Sequence, residues 1–401
     1  MTVADVYDDR LARRHAVILS VAQALYNINV STVINLGGII GASIAFDRSN
    51  ATLPITTMMI GTMLATAPAS LFMQRFGRRA GFMVGSVLGL IGSLVAAYAV
   101  YTGQFLLFCL GTHLIGYYQA SAQYFRFAAT DTASPEFRPR AISWVLAGGL
   151  VAAFFVPYII SGTKDVTVPY VGCFLAAALS VLAGLVVVSF IRIPLPPRGD
   201  GATGSGRPLL EIVGQPRFLG ALAAGMISYG MMALAMTASP LAIVDCGFSV
   251  NDSASSIRWH VLAMFAPSFF TGSLIARFGR GTIVLAGMAL LALSGVVSLS
   301  GLDLWRFDLA LVLLGVGWNF GFIGATAMIA DSHRPEERGK VQAFNDLLVF
   351  GFVAICSYLS GHTFTIFGWG GVNAMLLTLV ALGTIAVILL PRLQHSLPAA
   401  N

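Results

Sequence analysis

Residues 75–79 read Arg75-Phe76-Gly77-Arg78-Arg79, and the first four residue types return at Arg277-Phe278-Gly279-Arg280, an offset of 202. A second stretch behaves the same way. Asp131 followed by SPEFRPR over 134–140 matches Asp331 followed by RPEERGK over 334–340, with Asp131/Asp331, Pro135/Pro335, Glu136/Glu336 and Arg138/Arg338 all 200 apart. Two matches at nearly one offset, in a chain of 401 residues, predict a duplicated unit.

The segments around these loops are apolar. One runs from about His15 to Ala42, and others cover about 52–75, 79–101, 104–131, 137–161, 168–191, 216–244, 253–276, 281–301, 308–331, 338–363 and 369–390. A membrane-crossing helix needs about 20 mostly apolar residues, so the reading is twelve helices, six to each copy. The first apolar stretch is too long for a signal-peptide core and has no small-residue cleavage site, so it is read as a retained helix. The polar stretch over 192–215, which contains IPLPPRGDGATGSGRP, is rich in proline, glycine and serine and reads as a flexible cytoplasmic linker. The expected organisation is a bundle over 1–191, the linker over 192–215 and a second bundle over 216–401.

Composition sets the class. Only 10% of residues are charged and 57% are hydrophobic, with a mean hydropathy of +0.83. A soluble domain carries about 25% charged residues, so a water-soluble enzyme is excluded. The net charge of +6 matters through its placement rather than its sum. With the N-terminus inside, eighteen of the 23 lysines and arginines fall in cytoplasmic segments, which puts both termini in the cytoplasm. A bacterial inner membrane fits best, with lipid as the surrounding partner and no role for nucleic acid. Cys109, Cys173, Cys246 and Cys356 are scattered without a CxxC pair, and the six histidines form no HxxxH or HExxH spacing. No metal, cofactor or catalytic residue is therefore expected. The absence of a GxxxxGK[ST] segment excludes ATP-driven transport by this chain.

With the repeat in view, the chain resembles the major facilitator superfamily. That family's loop between helices 2 and 3 runs Gly-x-x-x-Asp-Arg-x-Gly-Arg-Arg. This chain offers Ser70-x-x-x-Gln74-Arg75-Phe76-Gly77-Arg78-Arg79, and later Gly272-x-x-x-Ala276-Arg277-Phe278-Gly279-Arg280. Gln74 and Ala276 replace the acid that, in the family, helps latch the cytoplasmic side. The resemblance implies an all-α membrane protein of two pseudo-symmetric six-helix bundles, a monomer working by alternating access. It assigns gating to Gln74, Arg75, Gly77, Arg78, Asp131 and Arg138, and to their second-half matches Arg277, Gly279, Arg280, Asp331 and Arg338. Physically, glycine permits a tight turn after a helix end, and an arginine is expected beside Asp131 and Asp331, whose acids oppose the helix dipole.

Polar residues inside apolar helices are the functional candidates. Helix 4 carries His113, Tyr117 and Tyr124 on one face at 100° per residue, and Gln119, Gln123 and Arg126 on another. Asp346 is the one acid well inside an apparent helix, so it is the proton-coupling candidate or a salt-bridge partner for Arg126 or Arg75. The family's cavity is lined by helices 1, 4, 7 and 10. That implies substrate contacts from Gln23, Tyr26 and Asn27 in helix 1 and from the six helix 4 residues. Helices 7 and 10 would add Tyr229, Trp318 and Asn319. Amides among aromatic rings suit a small, uncharged organic solute.

The expected function is secondary active transport of such a solute across the cytoplasmic membrane. Protons are the coupling ion, because no sodium-site pattern is readable. Two alternatives stand beside it: proton-antiport efflux of drugs or metabolites, and a non-transporting receptor or channel. The family's antiporter signature in helix 5, Gly-x-x-x-Gly-Pro-x-x-Gly-Gly, is met only at Pro157; Ala152, Val156, Ile160 and Ser161 stand where its glycines would be.

Overall fold

A computed structural model describes residues 9–134, 137–166, 168–193, 206–334 and 337–396. Pro135, Glu136, Pro335, Glu336, linker residues 194–205 and the Arg338 side chain lie outside the described residues. Every regular element among the described residues is helical. The long helices are α1 (Asp9–Ile44), α2 (Leu53–Phe76), α3 (Arg78–Thr102), α4 (Phe105–Ala122), α6 (Arg138–Thr163) and α7 (Val171–Ser189). They continue with α9 (Pro216–Asp245), α10 (Val250–Phe265), α11 (Ser268–Phe278), α12 (Arg280–Leu299), α13 (Leu304–Ala330) and α14 (Arg338–Ser396). Short helices α5 (Phe125–Ala128) and α8 (Leu209–Val213) lie between them.

Nine of the described helices are long and apolar enough to cross a membrane, ten if the bent pair α10–α11 is one span. Their outer faces are apolar, with Leu71, Leu106, Phe155 and Leu179 more than half exposed. In water such a surface would aggregate, whereas in lipid it is the solvated face. The interior instead holds polar pairs between helices. Asn29 Nδ2 donates to Ser93 Oγ at 2.7 Å, and Ser294 Oγ donates to the Ala310 carbonyl at 2.7 Å.

One break falls where it was expected and two depart from the expected boundaries. At 59 residues, α14 would be about 90 Å long at 1.5 Å per residue, far beyond one span, and it is divided at Gly368, whose φ is 65°, between the expected helices over 338–363 and 369–390. The bend of 43° between α10 and α11 falls at Ala266-Pro267, where proline has no N–H to continue the ladder. The expected single helix over 104–131 stops at Ala122. Tyr124 N–H donates to Ser121 O in an i→i−3 bond at 3.1 Å, and the chain resumes as α5. The 100° rule that placed Gln119, Gln123 and Arg126 on one face therefore lapses at Gln123.

The repeated RFGR loops are tighter than expected. Gly77 alone joins α2 to α3 (φ 89°, ψ 160°), and Gly279 alone joins α11 to α12 (φ 84°, ψ 153°). That backbone region is essentially restricted to glycine, which is why both copies carry it.

Packing falls into two sets. Helix α1 lies on α6 and α7, and α4 lies on α2 and α3, while α9 lies on α13 and α14, and α12 on α13. Between the sets, the main contacts are α2 with α14 and α6 with α10. Among the described residues, the side-chain hydrogen bonds between the sets gather at one end. There Arg48 donates to both carboxylate oxygens of Asp245 at 2.7 and 2.6 Å, and Thr365 Oγ1 donates to Arg48 O at 3.4 Å. Just beneath, Thr52 Oγ1 donates to Ser357 O at 3.2 Å and Thr56 Oγ1 to Ser357 Oγ at 3.3 Å. These bonds tie the two sets together at this end. Because the ion pair is exposed, its contribution is about 0.2–1 kcal/mol. Arg48→Ala is accordingly expected to raise alkylation of a cysteine placed at Thr56, in a background lacking Cys246, by about 1.4- to 5-fold. The double exchange Arg48→Asp with Asp245→Arg should restore the slow rate, and an unchanged rate in Arg48→Ala would remove the pair from this tie.

Candidate functional site

Tyr26, Gln119, Tyr124, Arg126, Tyr229, Trp318 and Asp346, from α1, α4, α5, α9, α13 and α14 and the turn at Tyr124, interact with one another in the interior. Two aromatic pairs frame this group. Tyr26 of α1 meets Tyr118 of α4 edge-on, with centroids 5.5 Å apart and an 83° interplanar angle. Tyr229 of α9 meets Trp318 of α13 with centroids also 5.5 Å apart, at 74°. The second pair extends into a wall. Tyr229 lies 5.1 Å from Phe322 and 5.6 Å from Phe350, and Trp318 stacks on Phe322 at 5.4 Å and 17°. Offset and edge-on rings of this kind attract through their quadrupoles.

Charge enters from both sets. Arg126 on α5 interacts electrostatically with Asp346 on α14 and with Tyr229, although no ion pair joins Arg126 and Asp346. Asn345 Nδ2 donates to Asp346 Oδ1 at 3.0 Å. The Arg126 guanidinium rests over Phe127 at 4.9 Å. The carboxylate and the guanidinium thus belong to helices of different sets.

The other sequence candidates divide between this centre and its supports. Tyr26, Gln119, Tyr124, Arg126, Tyr229, Trp318 and Asp346 are brought together. Gln119 accepts from Thr62 Oγ1 at 3.0 Å and interacts with Tyr26. Tyr124 donates from its hydroxyl to Thr66 O at 3.0 Å. Gln23 and Asn27 are buried one turn apart on α1, with Asn27 Nδ2 donating to Gln23 O at 3.0 Å. His113 and Tyr117 form a separate pair beside α2. One His113 ring nitrogen lies 3.0 Å from Thr57 O and the other 3.2 Å from the Tyr117 hydroxyl. Gln123 closes α4, its backbone N–H donating to Gln119 O. Asn319 is committed to the α10–α11 bend. It accepts from Thr271 Oγ1 at 2.6 Å and donates to Met264 O and Ser268 Oγ, both at 2.7 Å.

The arginine-rich end carries the repeated charges. Arg78 Nε donates to Asp131 at 3.0 Å, and Arg280 pairs with Asp331 in the matching place. The arginine that answers each helix-end acid thus comes from the RFGR loop. Arg78 also lies over the Tyr124 ring at 5.8 Å, and Tyr124 is within electrostatic reach of Arg126 and Asp346. The loop and the interior site are therefore in contact through one side chain. Arg75 and Arg277 lie over the neighbouring rings of Phe76 and Phe278 at 5.4 and 5.2 Å, and Gln74 is exposed.

Part of the segment expected as a flexible linker is ordered. Arg207 donates through its backbone N–H and its guanidinium to the buried carboxylate of Glu337 at 2.9–3.0 Å, and Lys340 reaches Arg207 O. The Arg207 side chain and then the Arg334 backbone N–H hold the Glu337 carboxyl well below the usual carboxylate range. A depressed carboxylate pKa means that this tether is at full strength above the usual range and is lost only as pH falls through the lowered value.

Sequence reasoning missed Phe322, Phe350, Tyr118 and Asn345. One signal was available. Tyr118-Gln119 and Trp318-Asn319 lie 200 residues apart, the same offset as the charged loops.

Comparisons with known proteins agree on one family. The family model described as the Major Facilitator Superfamily matches residues 19–267 and 253–401. The riboflavin transporter RfnT of Brucella anthropi is 45% identical over 386 residues, covering 95% of this chain and 97% of that protein. An uncharacterized MFS-type transporter of Bacillus subtilis, YddS, is 27% identical over 88% of this chain and 85% of its own. Among solved structures, the nucleoside transporter NupG superposes with a TM-score of 0.73 at 14% identity, over 94% of this chain and 99% of that one. The human organic anion transporter MFSD10 (TETRAN) gives a TM-score of 0.70, also at 14% identity and with the same coverage. The last two likenesses concern fold alone.

Proposed function

The chain belongs to the major facilitator superfamily and is a multi-pass membrane transporter of a small organic solute; from that premise, we propose that the solute is riboflavin and that protons drive its movement. The observation that carries the substrate reading is the aromatic wall of Tyr229, Trp318, Phe322 and Phe350 beside Arg126. Riboflavin is uncharged at neutral pH and joins a flat three-ring system to a polyol chain. The wall offers flat faces for the rings, and the amides of Gln23, Asn27 and Gln119 offer partners for hydroxyl groups. The 45% identity to a protein named a riboflavin transporter supports the same solute.

In this reading twelve helices form two bundles, residues 1–191 and 216–401, which rock about the shared site, with both termini in the cytoplasm. The Arg48–Asp245 end is assigned to the side away from the cytoplasm, so the conformation joined there is read as the cytoplasm-facing one. The loops holding Arg78–Asp131 and Arg280–Asp331 close the opposite side in the other half of the cycle. Asp346 carries the proton, because it is the carboxylate that faces the site and its cationic neighbour belongs to the other bundle.

The test is counterflow. Purified protein in liposomes preloaded with riboflavin should take up labelled riboflavin transiently above equilibrium, saturably and without ATP. Passive, non-saturating flux would support the channel reading, and no flux or binding would remove riboflavin as the solute.

A further inference from the structure

Three buried polar atoms around the Tyr229 cluster have no hydrogen-bond partner: Arg126 Nε, Trp318 Nε1 and Asn345 Oδ1. Buried polar groups are ordinarily paired, so these three, among thirteen such atoms in the described residues, call for an explanation. Two of them bracket the same carboxylate. Asn345 donates to Asp346 at 3.0 Å, leaving its own oxygen unused, and Arg126 senses Asp346 from the other set of helices without pairing with it. The result is a donor from one bundle and an acceptor from the other, beside a wall of aromatic rings. The complement to that arrangement is a flat ring whose edge carries a carbonyl next to an N–H.

We infer that Arg126 and Asn345 read the imide edge of the transported ring, Arg126 donating to a ring carbonyl and the Asn345 amide oxygen accepting the adjacent ring N–H. This rests on the riboflavin reading above, since the isoalloxazine ring presents such an edge at its N3 position. The third of these atoms, Trp318 Nε1, belongs to the ring wall and is not needed for this edge. Asn345 spends its amide N–H on Asp346, which leaves its oxygen as the buried acceptor without a partner to take the N–H. Because the two contacts come from different bundles, a solute with an imide edge ties the bundles together when it binds. A flat ring lacking the N–H stacks on the wall but does not make that tie. Recognition of a substrate N–H by a buried acceptor disfavours analogues without it by about the worth of one hydrogen bond, because the acceptor is then left unpaired.

The experiment compares riboflavin with N3-methylriboflavin in proteoliposomes, using the full-length protein and Asn345→Leu. The wild type is expected to show a KM about tenfold higher for the methylated flavin at similar kcat, the worth of one net hydrogen bond. Asn345→Leu should raise the riboflavin KM about tenfold and leave the methylated flavin unchanged, erasing the preference. Equal KM values for the two flavins in the wild type would overturn the inference while leaving riboflavin as the solute. Equal loss for both flavins in Asn345→Leu would assign the residue a structural role and overturn it as well. If Asn345→Leu does not yield folded protein, Asn345→Ser makes the same comparison. No riboflavin flux by the wild type would overturn the substrate reading and this inference together.

Discussion

Asp346→Asn is expected to reduce riboflavin accumulation driven by a pH gradient to background, while counterflow exchange without a gradient stays within about threefold of wild type. Asparagine keeps the shape of the side chain and can still accept from Asn345, so packing around the site is largely preserved. What it loses is a proton that can come and go. A carboxylate removed from water is tolerated when paired or protonated, and here the guanidinium that attracts it sits on the other set of helices. Moving two such charges from about 4 to about 8 Å apart changes their attraction by about 2 kcal/mol at an effective dielectric constant near 20. That is roughly thirtyfold in an equilibrium constant, enough for one conformation to hold the proton and the other to release it. Substrate exchange does not require that release and survives. Full pH-driven accumulation by Asp346→Asn would exclude Asp346 as the coupling group.

The fold was legible because duplication left marks at sites where chemistry allows few substitutes. Gly77 and Gly279 occupy backbone conformations that glycine alone takes readily, so both copies of the loop keep it. Asp131 and Asp331 each need a cation at a helix end, so both copies keep Arg78 and Arg280. The partner itself was harder to read. Arg138 is nearer in sequence, but the turn at Gly77 carries Arg78 across to Asp131. The breaks were harder still, because hydropathy averages over a window and does not see where a helix bends. The interruption after Ala122 changes which way Arg126 points relative to Gln119, and Pro267 turns Asn319 into a support for the α10–α11 bend.

The interior site was half legible for a related reason. Arg126 and Asp346 announce themselves by charge in an apolar helix. Phe322 and Phe350 do not, because an aromatic residue in a membrane helix reads as packing until its neighbours are known. The duplicated geometry of Tyr26–Tyr118 and Tyr229–Trp318 shows that the two copies supply equivalent ring pairs. The copies differ in what surrounds those pairs. The first set brings the cation and the second brings the carboxylate, the orphaned amide and the longer aromatic wall. Symmetry built the frame, and the departures from symmetry give the site its chemistry.

Gly116→Val is expected to abolish transport and to lower the thermal stability of the purified protein by several degrees. Helices α2 and α4 cross so closely that a Cβ on Gly116 would lie 2.2 Å from Met58 O and 2.9 Å from Thr62 N. The approach is reciprocal, since a Cβ on Gly61 would lie 2.3 Å from His113 O. These obstacles are backbone atoms, so no side-chain rotation relieves them and the helices must separate. Separation breaks the bonds from Thr62 Oγ1 to Gly116 O at 3.1 Å and to Gln119 Oε1 at 3.0 Å, which hold Gln119 beside Tyr26. Overpacking of this kind costs about 1–3 kcal/mol, occasionally more, before the lost hydrogen bonds add to it. Gly315 makes the matching approach in the second set, where a Cβ would lie 2.6 Å from His260 O. Gly315→Val should therefore fail in the same way. Gly162→Val is the control, because nothing lies within 4 Å of a Cβ at that position. A Gly116→Val protein with wild-type melting temperature and wild-type flux would show that α2 and α4 can separate freely without disturbing the site.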